Sequence, residues 1–150
     1  MKKNGGHAAQ ALGRSRGGLS TNIHAGCRDE RTGVAIVLTA GHGHESPVFE
    51  TVLTQVPPAP PLTHAIMDKG DDSNGIRAQL LAHDIVPVIP PKSNRTTAID
   101  YDHNLYKLRE KVERFFNKRK EFRRIATRYE QLSQTFLALI HLVAAWIIIK

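Results

Sequence analysis

Residues 106–120, YKLREKVERFFNKRK, decide how the chain is read. At about 100° per residue on a helical wheel, Tyr106, Arg109, Glu113 and Lys120 fall within roughly 60° of one another, in a single line. The apolar residues Leu105, Leu108, Val112, Phe115 and Phe116 form a second stripe centred roughly 90° to one side, as the core-facing side of an amphipathic helix does. The polar stripe therefore borders the core. Two readings of Glu113 stay open at this level. It is either an acid balancing neighbouring bases on a solvated face or a carboxylate held at a rim among cations.

Composition narrows the partners. A chain of 150 residues, 41% apolar, fits one domain with a real core. Lys and Arg outnumber Asp and Glu by 21 to 14, a formal charge of +7, which suits nucleic acid or an anionic membrane surface. The excess is local: between Lys107 and Arg128 stand ten basic residues, Arg123 and Arg124 among them, against Glu110, Glu113 and Glu121. Cys27 has no second cysteine to pair with, and the opening MKKNGGHAAQ has no apolar signal core, so a cytoplasmic, reducing location is expected. Cys27 then reads as a small buried hydrophobe. The run FLALIHLVAAWIIIK, 136–150, offers roughly 14 apolar residues around His141, against the roughly 20 that a bilayer core requires. A buried helix over 132–150, packed on the domain, is expected. The alternative, a membrane-associated end, draws on Trp146 and Lys150.

Along the chain, residues 1–18 are rich in Gly and small side chains and read as a flexible tail, in which Arg14 and Arg16 could grip phosphates. Residues 19–27 and 34–40 are β-branched, apolar runs around the polar turn RDERTG, and read as a hairpin. A helix is expected after Ser46 with Pro47 at its first position, running toward Val56 until PPAPP stops it. A strand at 64–67, a helix at 74–82, a strand at VPVI before PPKSNR and long helices from Asn104 follow. This alternation indicates an α/β domain with helices covering a sheet. His42 and His44 in GHGHES have a spacing that could bind a metal, but with flanking glycines and no nearby third ligand they read better as a surface loop. No Cys-x-x-Cys, phosphate-loop or nucleophile-elbow pattern occurs. Asp68 closes the apolar stretch HAIM, at the carboxyl end of a strand, where α/β proteins place ligands and catalysis. It reads equally well as the first residue of a turn that caps the next helix.

IMDKGDDSNGIRAQL, VIPPKSNR and YDHNLYKLREKVERFFNKRKEFRRIATRYEQLSQTF together resemble the latter part of bacterial insertion-sequence transposases of the DDE type. That group carries a Tyr, Arg, Glu, Lys signature with two, three and six intervening residues, the spacing of Tyr106, Arg109, Glu113 and Lys120. GRSRGGLSTNIH and VLTAG are similar to further segments of the family, so the resemblance covers nearly the whole chain from Gly13. It implies a ribonuclease H-like mixed sheet with flanking helices, in which carboxylates from two strands and one helix hold Mg2+ for attack on a phosphodiester. Asp68 would be the second and Glu113 the last of the catalytic and metal-holding acids. Arg109 and Lys120 would lie near DNA phosphates, with Tyr106 positioning a phosphate or base. DNA, as element ends and target, is the implied partner; a second copy or the product of an upstream reading frame are further candidates.

The chain also departs from the family pattern. The family's first catalytic Asp lies upstream of the GRSRGG segment, and here no carboxylate precedes Asp29. Asp29 and Glu30 sit in the hairpin turn, away from the expected metal site. Asp71 stands where the family usually has Tyr, and Asn22 where it has Lys. On this resemblance, residues 19–131 are an incomplete DDE catalytic domain lacking its first, central strand, so 19–27 and 64–67 would expose strand edges. A transposase fragment, inactive in strand cleavage and transfer on its own, is the first expectation. A basic DNA-binding remnant is the alternative.

Overall fold

In the computed structural model of the chain, which describes residues 6–15, 18–41 and 46–150, the alternating runs at 19–27 and 34–40 form the expected hairpin. Strands β2 (Gly18–Cys27) and β3 (Gly33–Ala40) pair antiparallel, with Ile23 opposite Leu38 and Ala25 opposite Ile36. A period of two puts these four side chains on one face. The turn between them is held by Asp29, whose Oδ1 accepts from the amides of Arg31 and Thr32 at 2.7 Å each. The ladder shifts between Gly26 and Cys27, and Gly33 re-enters it where a Cβ would stand 2.9 Å from Phe115 Cζ. Only glycine fits that approach without moving the ring.

These elements belong to the first of two compact units, Met1–Val56 with Arg114–Lys150; the second is Pro57–Glu113. In the first unit, helix α6 (Ser133–Ile149) covers the apolar face of the hairpin. Phe136, Ile140 and Val143 of α6 meet Ile36 and Ile125 in a buried cluster, with Ile23, Ala25 and Leu38 packed against it. Each such side chain contributes about 1.5–3 kcal/mol when fully buried. The opposite side of α6 leaves Leu142, Trp146 and Ile149 exposed, and among the described residues no helix is long and apolar enough to cross a membrane. Helix α1 (Ser46–Gln55) forms in the expected segment but begins one residue earlier, which makes Pro47 its second residue, still within the first turn.

The opening stretch differs from the expected tail where it is described. Residues His7–Gln10 form a 3-10 turn, and Gly13–Ser15 form strand β1, paired antiparallel with the start of β2. Side chains from elsewhere in the first unit anchor it: Ala11 O accepts from the Thr21 hydroxyl at 2.6 Å, and that hydroxyl accepts from Arg128 Nη1 at 2.6 Å. Arg16, His42 and His44 lie outside the described residues.

The second unit is a strand, helix, strand crossover. Strands β4 (His64–Ile66) and β5 (Val86–Val88) pair parallel, with helix α2 (Asn74–Ala82) between them in sequence. Ser73 starts α2 by accepting from the amide of Ile76 at 3.1 Å, and α2 buries Ile76 and Leu80 on the side of Ile85, Val88 and Ile89. The chain is thus a mixed α/β protein with both antiparallel and parallel pairing, in two separate sheets among the described residues.

One expectation fails in the signature segment. Residues 104–120 are not one helix: α3 (His103–Tyr106) passes through a 3-10 turn, Lys107–Arg109, into α4 (Glu110–Lys120). A 3-10 turn advances about 120° per residue instead of 100°. Leu108, within that turn, stands 40% exposed, whereas Phe115 is 1% exposed. The boundary between the two units falls inside α4.

Candidate catalytic and nucleic-acid site

Asp68 stands one residue beyond the end of Met67, which closes the β4 pairing by donating to Val88 O. The two oxygens of Asp68 do different things, and the first makes the turn cap that was one of the two readings of this residue. Oδ1 accepts from the amide of Lys69 at 2.6 Å and caps the 3-10 turn Lys69–Asp71, while the amide of Asp68 donates back to Asp71 Oδ2 at 3.1 Å. Oδ2 is left to accept from Arg109 Nη2 at 2.9 Å. Asp71 therefore completes a capping box here.

Arg109 faces Glu113 as well: Nη1 donates to Glu113 Oε1 at 2.9 Å, an i to i+4 pair. One guanidinium thus joins a carboxylate at a strand end to a carboxylate on α4, and the three side chains stay partly open to water. Tyr106 is a half-buried neighbour. Burial pushes its hydroxyl above the usual tyrosine range, with Asp68 and Glu113 adding to the rise and Arg109 opposing it. The ring meets Tyr101 edge-on at 5.6 Å. Asp102 starts α3 by accepting from the amides of Asn104 and Leu105, bonds that hold its carboxyl below the usual range.

A second ionic cluster in this unit was not read from the sequence. Asp72 is 4% exposed, and its carboxylate accepts from Arg77 Nε, from Arg95 Nε and Nη2, and from the amide of Lys92. The Arg95 bonds in the first place, with Lys92 and Arg77, hold the carboxyl far below its ordinary value against the opposing effect of burial. Arg77 also donates to Ile89 O at 2.7 Å. The segment PPKSNR is thereby tied to the start of α2. The only signal available was an Asp just ahead of a helix-capping Ser, with Arg77 a helical turn later.

The basic surface is smaller than the count suggested. Arg119 is 2% exposed, with Cζ 3.3 Å above the Phe115 ring and its Nη groups on Phe115 O and Arg31 O. Arg128 donates to the backbone at Glu130 and Gln131. Arg114 and Lys118 both meet Glu30, whose carboxyl is lowered chiefly by the Lys118 bond. Arg124 pairs with Glu130 at 3.2 Å, while Lys120, Arg123 and, on β1, Arg14 are exposed. Cys27 is half-buried, its thiol pushed up to about 11 by burial. Among the described residues no three His, Cys, Asp or Glu side chains cluster as a metal site.

The sequence profile of the transposase DDE domain matches residues 2–148. The chain belongs to the DDE transposase family, of the type carried by insertion sequences. A curated relative, the putative transposase for insertion sequence element IS6501 of Brucella ovis, is 32% identical over 133 residues, covering 86% of this chain and 98% of that protein. No solved structure matches the chain significantly.

Proposed function

We propose that the chain provides Asp68 and Glu113 as carboxylates of a DNA strand-cleavage and strand-transfer site. The observation that carries this reading is the meeting of these two residues, far apart in sequence, on one guanidinium. Their hard, partly solvated oxygens suit Mg2+, which commonly takes one or two carboxylates and keeps waters or substrate phosphates as its other ligands. When bound between them, the ion would supply Lewis-acid activation of the phosphodiester and of the attacking water or 3′-hydroxyl.

The chain's own groups set the rest. The cap on Oδ1 fixes the direction of the Asp68 carboxylate, and the helix carries Glu113 toward it. The Tyr106 hydroxyl, kept protonated, donates to a phosphate or base. Arg109, Lys120, Arg123, Arg124, Arg14 and Arg16 are assigned to DNA phosphates. A ribonuclease H-like fold is part of this reading, supported by antiparallel strands followed by a parallel pair with helices between. Among the described residues two carboxylates converge here instead of three, which favours the second reading, a basic DNA-binding remnant that holds nucleic acid without cleaving it.

The test is Mg2+-dependent nicking of supercoiled plasmid by the chain and by a version fused to a strand carrying an Asp, taken from another DDE transposase. Cleavage by the fused form, lost by about 100-fold or more in Asp68→Ala and Glu113→Ala, is expected. Cleavage indifferent to both substitutions would overturn the site. Salt-dependent DNA retention without cleavage in either form would favour the second reading.

A further inference from the structure

The Arg109 bridge bears on how this site is loaded, and the inference rests on the reading just given. Arg109 carries only donors, so it cannot share a cation with the carboxylates; it can only compete with one. Both of its Nη groups are committed, each at 2.9 Å, to oxygens that a divalent ion would use, Asp68 Oδ2 and Glu113 Oε1. The two carboxylates are 55% and 61% exposed and the guanidinium 30%, so these pairs are made in water and exchange readily. A guanidinium also matches a phosphate bidentately, which gives Arg109 an alternative partner when DNA arrives.

We propose that Arg109 is a resident counter-ion that divalent metal and DNA phosphate displace together, so that the two ligands bind with positive coupling. Metal alone must take the carboxylates while a cation remains beside it. With DNA present, the displaced guanidinium moves onto a phosphate, and the repulsion becomes an attraction. Coupling of this kind is reciprocal: DNA tightens the metal by the same factor as metal tightens DNA.

The experiment titrates Mn2+ into the full chain and follows free Mn2+ by its paramagnetic resonance signal, with and without a short duplex. In the wild type the duplex should tighten Mn2+ by about 5-fold, the lower end of usual coupling, because the exchanged pairs are exposed. Arg109→Gln should bind Mn2+ more tightly than wild type in the absence of DNA and show a smaller gain on adding it, what remains coming from phosphate oxygens that ligate the metal directly. Arg109→Lys, which keeps the charge without the fork, should retain part of the coupling. Unchanged Mn2+ affinity and intact coupling in Arg109→Gln would overturn the counter-ion role. Wild-type Mn2+ affinity in both Asp68→Asn and Glu113→Gln would instead overturn the site on which the role depends.

Discussion

Within residues 57–113, two clusters combine carboxylate with guanidinium and are built in opposite ways. Asp72 has a side-chain exposure of 0% and satisfies both of its oxygens with Arg77, Arg95 and the Lys92 amide. Asp68 and Glu113 share Arg109 at a surface where more than half of each acid faces water. Removing a partner from a buried cluster leaves a charge that nothing solvates, whereas water replaces a partner lost at the surface. The same chemistry is structural in the first place and exchangeable in the second. Residue type alone would not have separated them.

The largest expected effect breaks the buried cluster. Asp72→Ala should cost about 3 kcal/mol or more of stability in urea denaturation, since it strands two guanidinium groups. Asp68→Asn, which keeps a cap oxygen and removes only the charge, should stay within about 0.5 kcal/mol, as exposed pairs do. Equal losses would erase the distinction.

Acid should show the same asymmetry more gently. The Asp72 carboxyl is depressed in the folded chain, so its contribution is fully present above the unfolded value of about 4 and is lost as pH falls through that value toward the folded one. The urea midpoints of wild type and Asp72→Asn should therefore converge as pH is lowered from about 5. A gap that is constant or widens with acid would contradict the assignment.

The smallest effect concerns DNA. Each exposed cation that contacts a phosphate adds about one to the slope of log affinity against log salt. Arg123→Ala should lower the slope by about that amount. Arg124→Ala should lower it less, because Glu130 already holds that side chain. Arg119, buried on Phe115, lies outside this comparison, and its loss should appear as instability.

Legibility in the sequence followed the range of the interactions. The hairpin was readable because Ile23, Ala25, Ile36 and Leu38 alternate across a polar turn. Helix α2 was readable to its bounds because Ser73 caps it locally. The break at Lys107–Arg109 was not, since no Gly or Pro marks it and the apolar spacing runs through it. The carboxylate pair was suggested by the family signature. Its connection through Arg109 was hidden, because Asp68 and Arg109 lie 41 residues apart. The Asp72 cluster was hidden likewise, with Arg95 23 residues away, and Arg119 had been counted as surface charge although it stacks inside the first unit.

The link from Asp72 to Arg95 also behaves as a non-covalent staple. It closes a loop whose ends are 23 residues apart, and so removes conformations from a segment, Ile89 to Arg95, that has no helix or strand of its own. A stretch of Pro, Lys, Ser and Asn would ordinarily be the place where a protease enters. Here it should survive limited trypsin digestion at Lys92 and Arg95 for as long as the cluster is intact. It should become the first cut in Asp72→Asn, before either strand of the crossover is lost.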